Sequence, residues 1–147
     1  MDGSEIVIRF SSQPSNFCAV RAAAEAAALA WKVDEASAGQ VKLAVTEALA
    51  NIAKHGYKGR TDQPICVRFT AAQRNGRPGM VITIEDECQD VDLGDIKGRP
   101  LDEIRPGGLG VHIIQQTMDE VEYITNPSGI GVRLRMCKFA RLLEQER

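Results

Sequence analysis

Residues 35–54 place Val41, Val45, Ala48, Leu49 and Ile52 at three- and four-residue intervals, a recurrence that lines one face of a helix and no face of a strand. Such a helix must bury that face against a second layer. Asp34 stands where a cap would accept the first free N–H groups. The flanking segments say what the second layer is. EIVIRF at 5–10 alternates and is β-rich, a first strand. Cap and turn residues around Pro14 follow, and Phe17 to Trp31 reads as an Ala-rich helix. Ile65 to Ala72 and Met80 to Glu85 read as strands joined by a turn across Arg74–Gly79. Val111 to Met118 reads as a helix, Glu120 to Thr125 and Gly131 to Cys137 as strands, and the last ten residues as a charged terminal helix. Helices and strands come in groups instead of alternating strictly. The class expected is therefore α+β: a two-layer sandwich with helices on one face of a mixed or antiparallel sheet.

The chain has 147 residues, enough for one domain with a real core. A net charge of −2 and scattered Lys and Arg argue against direct nucleic-acid binding. Arg133, Arg135, Lys138 and Arg141 come nearest to a basic patch and read as the wet side of a strand. The Ala-rich tract 22–31 is broken by Glu25 and is too short to span a bilayer, so no membrane partner is expected. The start of the chain lacks the basic and apolar runs of a leader. Cys18, Cys66, Cys88 and Cys137 are widely spaced without a CxxC pair, which fits reduced thiols in a cytoplasm and structural burial for Cys18, Cys66 and Cys137.

Chemistry enters through three stretches. Glu47, Asn51 and His55 stand four residues apart in EALANIAKHGY. At roughly 100° per residue they form one stripe centred roughly 100° from the buried face, where a cleft wall would lie. A carboxylate there can take a proton from a hydroxyl, an amide oxygen can ligate Mg²⁺, and an imidazole can bond phosphate or brace a loop. Taken alone, the stripe is equally an ordinary solvated helix face. Gly107-Gly108-Leu109-Gly110 lies before the next helix, where free N–H groups attract anions. It is neither a P-loop nor a dinucleotide fingerprint. Finally, the apolar strand 81–85 ends in Asp86, an acceptor for the exocyclic amine of adenine. Residues 87–106 are acidic, with glycines and prolines and weak periodicity, a length that signals a lid or binding loop.

In order and spacing these stretches resemble the GHKL ATPase superfamily, and within it the bacterial anti-sigma-factor serine/threonine kinases related to histidine-kinase ATP domains. VTEALANIAKHGY at 45–57 is similar to that family's N box, ITIEDE at 82–87 to its adenine box, and RPGGLGVHIIQQTMDEVEY at 105–123 to its glycine box. The resemblance implies a Bergerat-type ATP-binding fold in a single domain, 1–147, with 87–106 as the ATP lid. It implies ATP and Mg²⁺ as ligands and Glu47 as the general base. Asn51 would be the metal ligand, Asp86 the adenine acceptor, and Gly108, Leu109 and Gly110 the phosphate-facing turn. Arg105 would touch phosphate or a partner, and His55 would stand near the phosphates. It implies an anti-sigma-factor antagonist and a sigma factor as partners, and it allows a homodimer. The alternative is a non-catalytic, ATP-dependent partner-binding module of the same fold. The phosphate-donating half of a histidine kinase is a third reading, set back because no phosphoacceptor helix pair is seen. Two positions depart from the family pattern: Cys88 stands where glycine is usual, and Gly129-Ile130-Gly131 stands where Gly-Thr-Thr is common.

Overall fold

In β2, Pro64–Arg74, the residues Ile65, Val67, Phe69 and Ala71 are buried while Cys66, Arg68, Thr70 and Ala72 are less so, the two-residue period of a sheet covered on one side. The computed structural model describes residues 3–88 and 108–141. β3, Arg77–Asp86, repeats the alternation with Met80, Ile82 and Ile84 inward. Arg74 faces Arg77 in the register, so the turn is the pair Asn75-Gly76 alone. Their φ values of 52° and 79° suit the mirror-image hairpin turn that matches strand twist. The wider turn expected over 74–79 is therefore mostly strand.

Among the described residues the sheet has five strands in the order β1-β2-β3-β5-β4, with β1 at Glu5–Ser11, β4 at Glu120–Thr125 and β5 at Val132–Phe139. Every neighbouring pair is antiparallel, which settles the mixed-or-antiparallel alternative. Among the described residues three α-helices form the second layer: α1 at Pro14–Ala30, α2 at Glu35–Asn51 and α3 at Gly108–Thr117. One core joins the layers, with Val20 and Ala24 of α1, Val41, Val45 and Leu49 of α2 and Ile114 of α3 against Val67, Phe69, Ile82, Ile84 and Met136. Each large side chain so buried contributes about 1.5–3 kcal/mol of transfer free energy.

Asp34 caps α2 by accepting the Ser37 N–H at 3.0 Å, and its other oxygen accepts the Arg141 N–H at 3.0 Å. Desolvation works against the charge on Asp34, but these hydrogen bonds prevail and hold its carboxyl below the ordinary 3.8.

Four expectations need correction. The helix over 35–54 is α-helical only to Asn51; residues Ile52–Gly56 form a π-turn, with the Tyr57 N–H bonded to the Ile52 carbonyl five residues back, at 2.7 Å. The terminal helix is not found at its start, because Lys138 and Phe139 extend β5; residues 142–147 lie outside the described part. Of the residues read as the wet side of a strand, Arg133 and Arg135 stay at the surface, and only Lys138 departs. Arg133 pairs with Glu85 at 3.4 Å and Arg135 with Glu120 at 3.8 Å, whereas Lys138 is buried and donates to the Thr117 carbonyl at 2.6 Å. The thiols also divide differently from expectation: Cys137 is buried, Cys66 half-buried, and Cys18 exposed. Among the described residues, no helix is long and apolar enough to cross a membrane.

Candidate nucleotide site

Glu47 and Asn51 are both half-buried on α2, beside the fully buried Val45 and Leu49. This is the flanking position that the apolar spacing implies. His55 leaves the stripe. It lies in the π-turn, where the wider winding breaks the four-residue register, and it is exposed.

Asp86 continues the inward face of β3 after Ile82 and Ile84 and is only 6% exposed. A carboxylate there forfeits hydration and needs donors. One oxygen, Oδ1, accepts the Cys88 N–H at 3.0 Å and the Val132 N–H at 3.1 Å. Asn126, itself buried, donates through Nδ2 to the Asp86 carbonyl at 3.3 Å. Gly131, at φ 87°, lies so close that a Cβ there would overlap the Asp86 carbonyl. The β4–β5 turn thus grips the end of β3. In this chain Gly131 is required by that approach, whereas Ile130 is an exposed turn residue.

Burial pushes the Asp86 carboxyl above its ordinary 3.8, outweighing the Cys88 and Val132 N–H bonds that lower it. A raised carboxyl gives folding stability that is full below 3.8 and lost as pH rises through the folded value. Its ionised form, the better acceptor for an amine, is correspondingly lost at higher pH on acidification than in an ordinary aspartate. Mg-ADP affinity measured from about pH 7 down to about pH 4 should therefore show a falling limb that Asp86→Asn lacks. A constant ratio between the two proteins across that range contradicts the assignment.

Cys88 stands at 5% exposure with its thiol pushed up to about 12 by burial, then by the nearby Asp86 charge. A thiol so protonated is inert and serves packing. Its sulfur faces Gly56, where an added Cβ would sit 2.5 Å away.

The contact between Gly56 and Cys88 brings the end of the α2 stretch against the end of β3, and α3 packs along α2. The three motif-bearing elements are thus neighbours. Gly108 and Gly110 belong to the first turn of α3 rather than to a turn preceding it, so N–H groups at 108–110 lack helical acceptors within α3. Of the expected lid 87–106, Glu87 and Cys88 are described; residues 89–106, with Arg105, lie outside the described part.

Two groups escaped the sequence reading. Asn126 gives no signal beyond being a turn residue. Tyr57, 5% exposed, donates its hydroxyl to the Pro64 carbonyl at 2.6 Å and accepts the Glu87 N–H at 2.7 Å. An aromatic directly after a helix-ending glycine was the available cue.

Residues 10–138 match the histidine kinase-like ATPase domain family, and the chain belongs to that family. Among particular relatives, the serine-protein kinase RsbW of Bacillus pumilus is 33% identical over 107 residues, covering 67% of this chain and 63% of that protein. The anti-sigma F factor of Bacillus cytotoxicus is 30% identical over 142 residues, 92% of each chain. RsbW of Listeria monocytogenes serovar 1/2a is 31% identical over 104 residues, covering 67% of this chain and 64% of its own length. The chain thus spans somewhat under two thirds of these two RsbW proteins and nearly all of the anti-sigma F factor.

No cluster of three or more His, Cys, Asp or Glu side chains suited to a metal occurs among the described residues.

Proposed function

We propose that this chain is an ATP-dependent serine/threonine protein kinase that phosphorylates an anti-sigma-factor antagonist and, when free of it, sequesters a sigma factor. The observation that carries the reading is Glu47, half-buried one turn ahead of Asn51 on the helix wall, in a chain that aligns with an anti-sigma F factor over 92% of its length.

The roles follow from what phosphoryl transfer demands, namely positioning, charge neutralisation and an oriented nucleophile. Asp86 accepts the adenine amine and fixes the base. The N–H groups of the first turn of α3, at Gly108, Leu109 and Gly110, face the phosphates, aided by Arg105; His55, turned out of the stripe, takes no part. Mg²⁺, when bound through Asn51, supplies charge neutralisation across the phosphates. Glu47 accepts the proton of the acceptor hydroxyl as its oxygen bonds to the γ-phosphorus and the bond to the β-phosphate oxygen breaks, leaving ADP and a phosphoserine or phosphothreonine. The new phosphate adds about −1.5 to −2 charges and three acceptor oxygens where the antagonist docks, releasing it by repulsion and desolvation. The site of action is the cytoplasm, and a homodimer is compatible with this scheme.

A second reading is a module in which nucleotide only sets partner affinity. Cys88, buried beside Asp86 where the family usually carries glycine, and Ile130 in place of a threonine favour it. Labelled γ-phosphate from ATP, mixed with the chain and a small antagonist protein, separates the two. Label on the antagonist supports the kinase; tight nucleotide-dependent binding with no label supports the module and overturns the kinase.

A further inference from the structure

Tyr57 lies outside every role assigned above, yet it ties the two halves of the site together. Its ring is buried, and both bonds of its hydroxyl go to main-chain groups: the Pro64 carbonyl at the start of β2 and the Glu87 N–H directly after Asp86. The π-turn brings it there. In an uninterrupted α-helix the Tyr57 N–H would bond Ala53, but it bonds Ile52, and one inserted residue turns everything after it by roughly 100°. The same turn carries Gly56 against the Cys88 sulfur, and the Cys88 N–H in turn donates to Asp86 Oδ1. π-Turns inside helices recur at functional sites, and here the inserted residue redirects a phenol onto the backbone that holds the base acceptor.

We propose that Tyr57 is a positioning residue for base recognition, its hydroxyl locking the 86–88 backbone to the turn that follows Asn51 so that the adenine and metal ends of the site keep a fixed spacing. The inference rests on Asp86 being the adenine acceptor. It assigns Tyr57 no contact with nucleotide.

Tyr57→Phe keeps the buried ring and removes only the hydroxyl, leaving the Glu87 N–H and the Pro64 carbonyl without it. Loss of these two bonds should weaken Mg-ADP binding by about 5–10-fold and shrink the preference for Mg-ADP over Mg-GDP. KM for ATP should rise, while KM for the protein acceptor and kcat at saturating ATP stay within about twofold. A residue needed only for folding would lower the melting temperature without moving the adenine-to-guanine ratio in the folded protein. Gly56→Ala offers an independent arm. Its methyl group drives into the Cys88 sulfur and should also weaken Mg-ADP, and adding Cys88→Gly to it should restore affinity by making room. A folded Tyr57→Phe with unchanged affinity and base preference overturns the proposal. If Tyr57→Phe fails to fold, the second arm decides: restoration in the double variant supports the lock, and its absence overturns it. Wild-type protein that binds no adenine nucleotide removes the underlying assignment of Asp86 and this proposal with it, an outcome distinct from normal binding that Tyr57→Phe leaves untouched.

Discussion

Glu47→Ala is expected to lower phosphoryl transfer to the protein acceptor by about 10²–10⁴-fold, the range that a positioned general base contributes. Mg-ADP affinity should stay within about twofold, because the side chain serves the acceptor hydroxyl and not the nucleotide. Glu47 is half-buried on α2, so truncation opens no core cavity; the neighbouring Val45 and Leu49 carry the packing. Glu47→Gln, similar in shape but a far weaker base, should fall as far as the alanine variant. Single-turnover transfer of labelled phosphate measures this directly. Transfer at the wild-type rate in either variant means that another group takes the proton.

Asn51→Ala should weaken Mg²⁺-dependent nucleotide binding by about 10–100-fold, the loss typical when a metal's immediate surroundings are broken. The fold should survive, since Asn51 is the half-buried last residue of α2 and alanine is the better helix former. Titrating ADP with Mg²⁺ present and then chelated separates the metal's share: the variant should bind as wild type does without metal. A Mg²⁺-dependent gain in affinity equal to that of wild type takes Asn51 out of the site.

How far the sequence reveals this protein depends on where periodicity governs. β4 was bounded correctly at Glu120–Thr125, and β2 and β3 to within three residues, because one face of an antiparallel sheet is buried and the two-residue alternation is enforced. Asp86 was singled out only as the carboxylate that ends an apolar strand; its inward position and two main-chain donors are seen in the structure alone. The apolar face of α2 placed Glu47 and Asn51 correctly beside the core. It could not show that the helix changes winding at Ile52, since a π-turn is set by tertiary contacts, here Gly56 against Cys88 and Tyr57 against two strand ends. His55 left the stripe for that reason. Gly131 was read only as part of a departure from Gly-Thr-Thr, and its actual demand, a close approach to the Asp86 carbonyl, is a contact across 45 residues that no local pattern encodes. Lys138 was read as surface charge because its partner, the Thr117 carbonyl, belongs to a helix end 21 residues away.

The central claim is that α2, the end of β3 and the start of α3 enclose one adenine nucleotide. Calorimetric titration of the wild-type chain with Mg-ADP and with Mg-GDP tests it most directly. A single site that takes Mg-ADP, discriminates strongly against Mg-GDP and loses that discrimination in Asp86→Asn is the expected result. Equal affinity for the two nucleotides, or heat from neither, contradicts it.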